Sequence, residues 1–102
     1  MAEHDILTAS LIEQDALTLE ELAAAIAVEP DWIIRHIEQG CFSVQPAGSR
    51  EWRFSSTTLV RARRIREIER NFEADPQLAA LVADLLEEID ALRARLRRAG
   101  LM

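Results

Sequence analysis

The feature that most constrains the fold is a heptad repeat of apolar residues near the C-terminus. The repeat follows Asp75-Pro76, where aspartate suits the N-cap of a helix and proline suits its first position. Its residues at heptad positions a and d are Leu78, Val82, Leu85, Ile89, Leu92 and Leu96. Such a repeat is typical of a helix that pairs with another helix, so we predict one long helix over residues 75–99.

This helix is longer than a small domain needs, because about three heptads follow a module of roughly 70 residues. We therefore predict a module over residues 1–70 and a dimerisation helix over residues 75–99, giving a homodimer. The predicted dimerisation residues are Val82, Leu85, Ile89, Leu92 and Leu96. The repeat fits parallel and antiparallel pairing alike, and it is also compatible with packing of the helix on its own domain.

Two short helices are predicted in the first half of the chain. Thr18 and Glu21 have the spacing of a capping box, and apolar residues follow at helical intervals. Pro30 suits the start of a second helix, and Gly40 suits its end. Because only about Val28-Glu29 separates the two helices, the pattern predicts a helix-turn-helix.

A hairpin and a third helix are predicted next. The turn signal is Pro46-Ala47-Gly48-Ser49, and Trp52 and Phe54 alternate with polar residues after it. Ser55-Ser56 suits the cap of a third helix. The predicted fold is thus mainly α, a winged helix-turn-helix with a short β-hairpin wing and a long coiled-coil-like helix. Residues 1–16, without a clean period, are predicted to be a short strand or an arm packed on the module.

Charge is distributed unevenly along the 102 residues, whose net charge is −6. Residues 1–49 hold nine carboxylates against Arg35 alone, whereas residues 50–70 hold seven arginines against three carboxylates. A protein that binds nucleic acid through its phosphates needs a basic surface, so the acidic half favours a basic protein partner. The residues predicted to contact this partner are Glu20, Glu21, Glu29, Asp31, Trp32 and Glu38.

Two interpretations of individual signals stay open at this point. Trp32 is either a core aromatic or a partly exposed interface anchor, since the isoleucines around it already define the buried side of its helix. The arginines between Arg61 and Arg70 form either a phosphate-binding surface or a solvated helix face, and the second is the more usual meaning. For DNA binding the candidate residues are Arg35, Arg50, Arg53, Arg61 and Arg64.

The sequence does not predict an enzyme, a metal site or a cofactor. His4 and His36 have no second histidine or cysteine at ligand spacing, and the lone Cys41 reads as a small buried hydrophobe. The three glycines lie far apart, and the carboxylates are spread over exposed helix positions. With no apolar run of membrane-spanning length and no signal-peptide pattern, we expect a cytoplasmic protein.

The order of these elements resembles a MerR-type winged helix. The stretches that carry the resemblance are Thr18–Ala23, Ile34–Glu38, Gly40–Phe42 and Arg50–Ser55, together with the long helix Pro76–Arg98. This resemblance implies a DNA-binding transcriptional regulator as one possible function. However, His36 and Ile37 stand where such proteins carry paired tyrosines, and the chain has neither an effector domain nor metal-sensing cysteines.

The chain resembles CbpM more closely, the family of chaperone modulators that bind the J-domain co-chaperone CbpA. Similar features are the threonine-led first helix, Trp52 before Phe54, the arginine-rich stretch Arg61–Arg66 and the residues from Asp75 onward. The resemblance implies inhibition of CbpA, both as an Hsp70 co-chaperone and as a DNA binder, without a cofactor. J-domains present a basic helix to Hsp70, and an acidic helix-turn-helix complements it.

Overall fold

The computed structural model describes residues 17–47 and 51–101. Within these ranges the chain forms four helices and one pair of short strands. They are α1 (Leu19–Ile26), α2 (Pro30–Glu38), β1 (Gln45–Ala47), β2 (Glu51–Arg53), α3 (Ser56–Phe72) and α4 (Pro76–Arg98). The predicted N-terminal arm, residues 1–16, lies outside the described residues. The mainly helical fold is confirmed.

Local capping interactions and backbone conformations set the ends of the two helices of the helix-turn-helix. The Thr18 hydroxyl accepts from the Glu21 N–H at 3.1 Å, and the Glu21 carboxylate accepts from the Thr18 N–H at 2.9 Å, which completes the predicted capping box. Ala27 ends α1 in the left-handed region, with φ of 59°. Pro30 then opens α2, and Gly40 follows its end with φ of 79°, a conformation that glycine adopts without strain.

The two strands pair antiparallel, with Pro46 opposite Trp52. The predicted turn was placed too early, because Pro46 and Ala47 belong to β1. Each strand of a two-stranded pair keeps an unpaired edge, and proline, which lacks an N–H, is tolerated at such an edge. Residues 48–50 lie outside the described part of the chain. Just beyond β2, Phe54 pairs with Leu17 through N–O distances of 2.7 and 3.0 Å.

The starts of α3 and α4 also follow the sequence signals. The Ser55 hydroxyl accepts from the Thr58 N–H at 3.2 Å, and the Asp75 carboxylate accepts from the Leu78 N–H at 2.8 Å. Each bond satisfies an N–H that the first turn of a helix leaves without a partner. Between the two helices Glu73 takes a left-handed conformation, with φ of 52°, so the chain turns within three residues.

All four helices contribute to one hydrophobic core. Its buried residues are Leu22, Ala23, Ile26, Ile33, Cys41, Phe42, Phe54, Ala62, Ile65, Ile68, Ala79 and Ala83. The fully buried residues of α4 are Ala79 and Ala83, and Val82 and Leu86 pack partly buried against the same core. Small side chains let two helices approach closely, and the first turns of α4 therefore pack on the module. None of the helices in the described ranges is long and apolar enough to cross a membrane.

Candidate protein-interaction surface

The carboxylates that the sequence assigned to a basic partner lie on α1, on α2 and in their connection. The five exposed ones are Glu20, Glu21, Glu29, Asp31 and Glu38, and we call them the acidic face. Arg35 is the one arginine on these two helices, and its guanidinium lies 4.0 Å from the Asp31 carboxylate. An exposed pair of this kind binds weakly, so the face stays strongly acidic.

Trp32 combines the two interpretations that the sequence left open. The side chain is half-buried and packs against the core, while part of it reaches the surface beside Asp31. Its ring stacks on His36 with a centroid distance of 3.7 Å and an interplanar angle of 24°. A tryptophan that is fixed on one side and open on the other is well suited to anchor a partner. Trp52 packs edge-to-face on Phe54, at 6.3 Å and 86°.

His36 is a buried polar residue whose role the sequence did not reveal. Only 4% of it is exposed, and Nδ1 donates to the Trp32 carbonyl at 2.7 Å, since a carbonyl can only accept. Nε2 lies 2.6 Å from Oε2 of Glu69 on α3. The imidazole therefore ties the helix of the acidic face to α3. The only available signal was the position of His36 on the buried side of α2, next to Ile33 and Ile37.

Arg61 joins three parts of the fold. Its Nε donates to the Cys41 carbonyl at 2.8 Å, and its Nη1 lies 2.8 Å from the Asp84 carboxylate and 3.0 Å from that of Glu87. Burial lowers the pKa of Arg61, but hydrogen bonds to Glu87 and Asp84 raise the pKa more, so the net shift is upward. The guanidinium thus stays charged and holds α4 against α3 and the segment after α2.

The arginines of the alternative DNA-binding set lie in different surroundings. Arg61 and Arg64 are both used within the fold, and Arg64 lies 2.6 Å from the Asp90 carboxylate on α4. Arg53 is half-buried, Arg35 is exposed on α2, and Arg50 lies outside the described residues. A phosphate would have to compete with carboxylates for Arg35, Arg61 and Arg64. The phosphate role itself stays a prediction.

Large apolar residues of α4, most of them from the heptad, form an exposed stripe. The six residues of this α4 stripe, each 40–56% exposed, are Leu78, Leu81, Leu85, Ile89, Leu92 and Leu96. Of the five predicted dimerisation residues, Val82 is instead half-buried against the core, and the other four lie in the stripe. Soluble proteins rarely leave large contiguous apolar surfaces uncovered, so the stripe is a candidate interaction site. Most heptad residues thus lie on the exposed face of α4, and Val82 lies where that face meets the packed one.

Comparison with known proteins identifies the family. A family model described as "MerR HTH family regulatory protein" matches residues 17–99. The chain is also 32% identical over 89 residues to "Chaperone modulatory protein CbpM" of Pseudomonas entomophila (strain L48), a match that covers 85% of this chain and 84% of that protein. The chain belongs to the CbpM family of MerR-like proteins.

Further CbpM proteins support the assignment. Those of Coxiella burnetii, strains Dugway 5J108-111 and RSA 331 / Henzerling II, are 28% identical over 93 residues, covering 90% of this chain and 88% of each relative. No solved structure matches the chain significantly. The matches span the helix-turn-helix and most of α4, so CbpM membership accounts for nearly the whole chain rather than for one motif.

The names of the CbpM relatives describe modulatory proteins, and the family model describes a regulatory protein, rather than enzymes. In the part of the chain that the structure describes, no group of three or more His, Cys, Asp or Glu residues is arranged to hold a metal ion.

Proposed function

We propose that this CbpM-family chain is a chaperone modulator that binds the J-domain of a CbpA-type co-chaperone. Binding would inhibit both the co-chaperone and the DNA-binding activities of that protein. The observation that carries the proposal is the acidic face, five exposed carboxylates on α1, α2 and their connection beside the half-buried Trp32. Complementary charge selects a partner and fixes its orientation, and the basic helix that J-domains present to Hsp70 has the matching sign.

The proposed mechanism is competition for one surface. A J-domain whose basic helix lies against the acidic face cannot present that helix to Hsp70. Exposed carboxylates at the rim of such an interface mainly set the association rate and its salt dependence, whereas a packed tryptophan sets affinity. Trp32 is suited to the second role, because its stacking on His36 fixes the ring before a partner arrives.

Calorimetric titration of the chain with the isolated J-domain of the organism's own CbpA-type protein tests this proposal. We expect binding that weakens with salt, and about tenfold weaker binding for Asp31→Lys or Trp32→Ala. Glu67→Lys is the matched control, because it makes the same change of charge at an exposed position on α3, outside the acidic face. Absence of binding at low salt would remove the proposal.

We also propose that the chain forms a homodimer through the α4 stripe. One face of α4 is already packed on α3. Its other face carries six large apolar side chains that the module leaves uncovered. In a homodimer the stripe of a second copy would cover this face, because that copy supplies the same a and d side chains as knobs for the facing helix.

DNA binding is the second candidate function, favoured by the match to the MerR regulatory family. Affinity that depends on phosphate contacts falls steeply as salt rises, with a slope set by the number of contacts. A DNA titration at several salt concentrations therefore separates the two candidates. Strong, salt-sensitive DNA binding that is lost in Arg35→Ala would favour the regulator, and weak or absent binding would count against it.

A further inference from the structure

A cleft opens beside the acidic face, between the end of α2, the start of α3 and the middle of α4. Its volume is about 630 Å³. Ile37, Phe42 and Val44 supply apolar surface to its lining, and Asp84 and Glu87 of α4 supply carboxylates. The cleft is thus lined by both apolar and charged groups, within the size range of sites that hold a side chain or small ligand.

The charges in the cleft are unbalanced. Asp84 and Glu87 share the single Nη1 of Arg61, and their side chains are 61% and 43% exposed. A carboxylate has about four lone-pair positions, so each retains acceptors for a second donor. An adjacent hollow of about 300 Å³ is lined by the same two carboxylates and by Glu88. Three carboxylates therefore accompany one arginine across the two hollows, and the remaining charge is negative.

We propose that this cleft receives one apolar and one basic side chain from the basic helix of the partner. The apolar side chain would lie against Phe42 and Val44, and the lysine or arginine would lie against Asp84, Glu87 and Glu88. Side chains three or four positions apart on a helix are neighbours, so a single partner helix can present both. The unbalanced negative charge excludes an acidic peptide as the occupant.

This inference rests on the proposed function and deepens it, because it adds α4 to the surface that meets the J-domain. The acidic face alone would place the partner on α1 and α2. Ile37 and Gly40, at the end of α2, line the cleft, so the acidic face and the cleft adjoin through that end of the helix. A partner helix that crosses the end of α2 would reach both.

Nuclear magnetic resonance of the isotope-labelled full chain, titrated with the unlabelled isolated J-domain, tests the placement. We expect shift changes at the amides of Ser43, Thr57 and Ala91 in addition to those of α1 and α2. Changes confined to α1 and α2 would overturn the cleft while leaving the proposed function in place. No change anywhere would remove both. Changes at the Ser43 and Thr57 amides on dilution of the free chain would assign the cleft to a second copy and overturn the proposal.

Two variants test the chemistry of the cleft without touching the Arg61 contacts. Thr57→Trp, at an exposed rim position, fills the cleft, and Ser43→Arg neutralises the net negative charge of its lining. Each should weaken J-domain binding about tenfold. The controls carry the same changes on exposed positions of α3: Val60→Trp for bulk and Asn71→Arg for charge, both with affinity within about twofold of the wild type. Wild-type affinity in both cleft variants, with circular dichroism showing an unchanged fold, would overturn the proposal.

Discussion

The guanidinium of Arg61 contacts α4 and the segment after α2 from its own place on α3, and only 16% of the side chain is exposed. In Arg61→Ala the Cys41 carbonyl and two carboxylates lose their shared donor. Because water screens those carboxylates in part, we expect a loss of about 2 kcal/mol in the free energy of unfolding. Urea denaturation followed by circular dichroism measures it.

Arg63→Ala is the matched control for this change. Arg63 is exposed on α3, and its guanidinium makes a 3.4 Å contact with the Ala25 carbonyl. Removal of an exposed side chain with one long contact should change the free energy of unfolding by less than about 0.5 kcal/mol. Equal urea midpoints for the two variants would show that the Arg61 contacts contribute little to stability.

The buried thiol of Cys41 should make the fold less stable at alkaline pH. Burial raises the pKa of its thiol above the ordinary 9.0, and the negative charge of Glu69 raises the pKa further. The folded chain thus binds this proton more tightly than the unfolded chain. The resulting stability is fully present below pH 9.0 and is lost as the pH rises through the folded-state pKa.

This effect can be measured cleanly because the sequence contains no lysine and no tyrosine. Cys41 is then the only side chain whose ordinary pKa lies between about 8 and about 11. The free energy of unfolding of the wild type should fall as the pH rises through that range. Cys41→Ala should show no such decline, and a decline of equal size in the variant would rule out the thiol as its cause.

At the scale of helices and strands, the sequence predicted best what depends on local chemistry. The capping box at Thr18 and Glu21 and the helix start at Asp75 were predictable because each cap acts within three residues. The end of β1 was not, because the position of a turn depends on strand pairing. Nor could the sequence show that Ala79 and Ala83 hold α4 to the module, since leucines dominate its hydropathy pattern.

In the candidate site, too, some features were predictable from the sequence and others were not. Charge alone identified the exposed carboxylates of the acidic face, since helix carboxylates are costly to bury. The contacts that support the face could not be predicted, because they join distant residues. His36 and Glu69 are 33 positions apart, and Arg61 and Glu87 are 26 apart. A single sequence gives no information about which of many acids meets a given base.

The N-cap of α4 gives a prediction at this scale. The Asp75 carboxylate accepts from the Leu78 N–H at 2.8 Å, and its loss leaves a donor of the first turn without a side-chain partner. Asp75→Ala should lower the free energy of unfolding by about 1 kcal/mol, as is typical of a lost cap. Asp75→Asn keeps a capping oxygen and should stay close to the wild type in thermal unfolding. Similar losses in both variants would assign the effect to charge rather than to capping.

The molecule as a whole combines a packed module with a helix that presents an uncovered apolar stripe. A substitution at Ile89 tests whether a second copy covers this stripe. Ile89 is 41% exposed and lies outside the core that holds Leu22, Phe54 and Ile65. In Ile89→Asp a charge would enter the helix pair at an a position, where desolvation makes it costly. We expect this variant to be a folded monomer by sedimentation while the wild type is a dimer. Ala91→Asp, which adds the same charge off the stripe, should remain dimeric. A wild type that is monomeric at tens of micromolar, with an Ile89→Asp variant that unfolds, would instead place the stripe in the core of the domain.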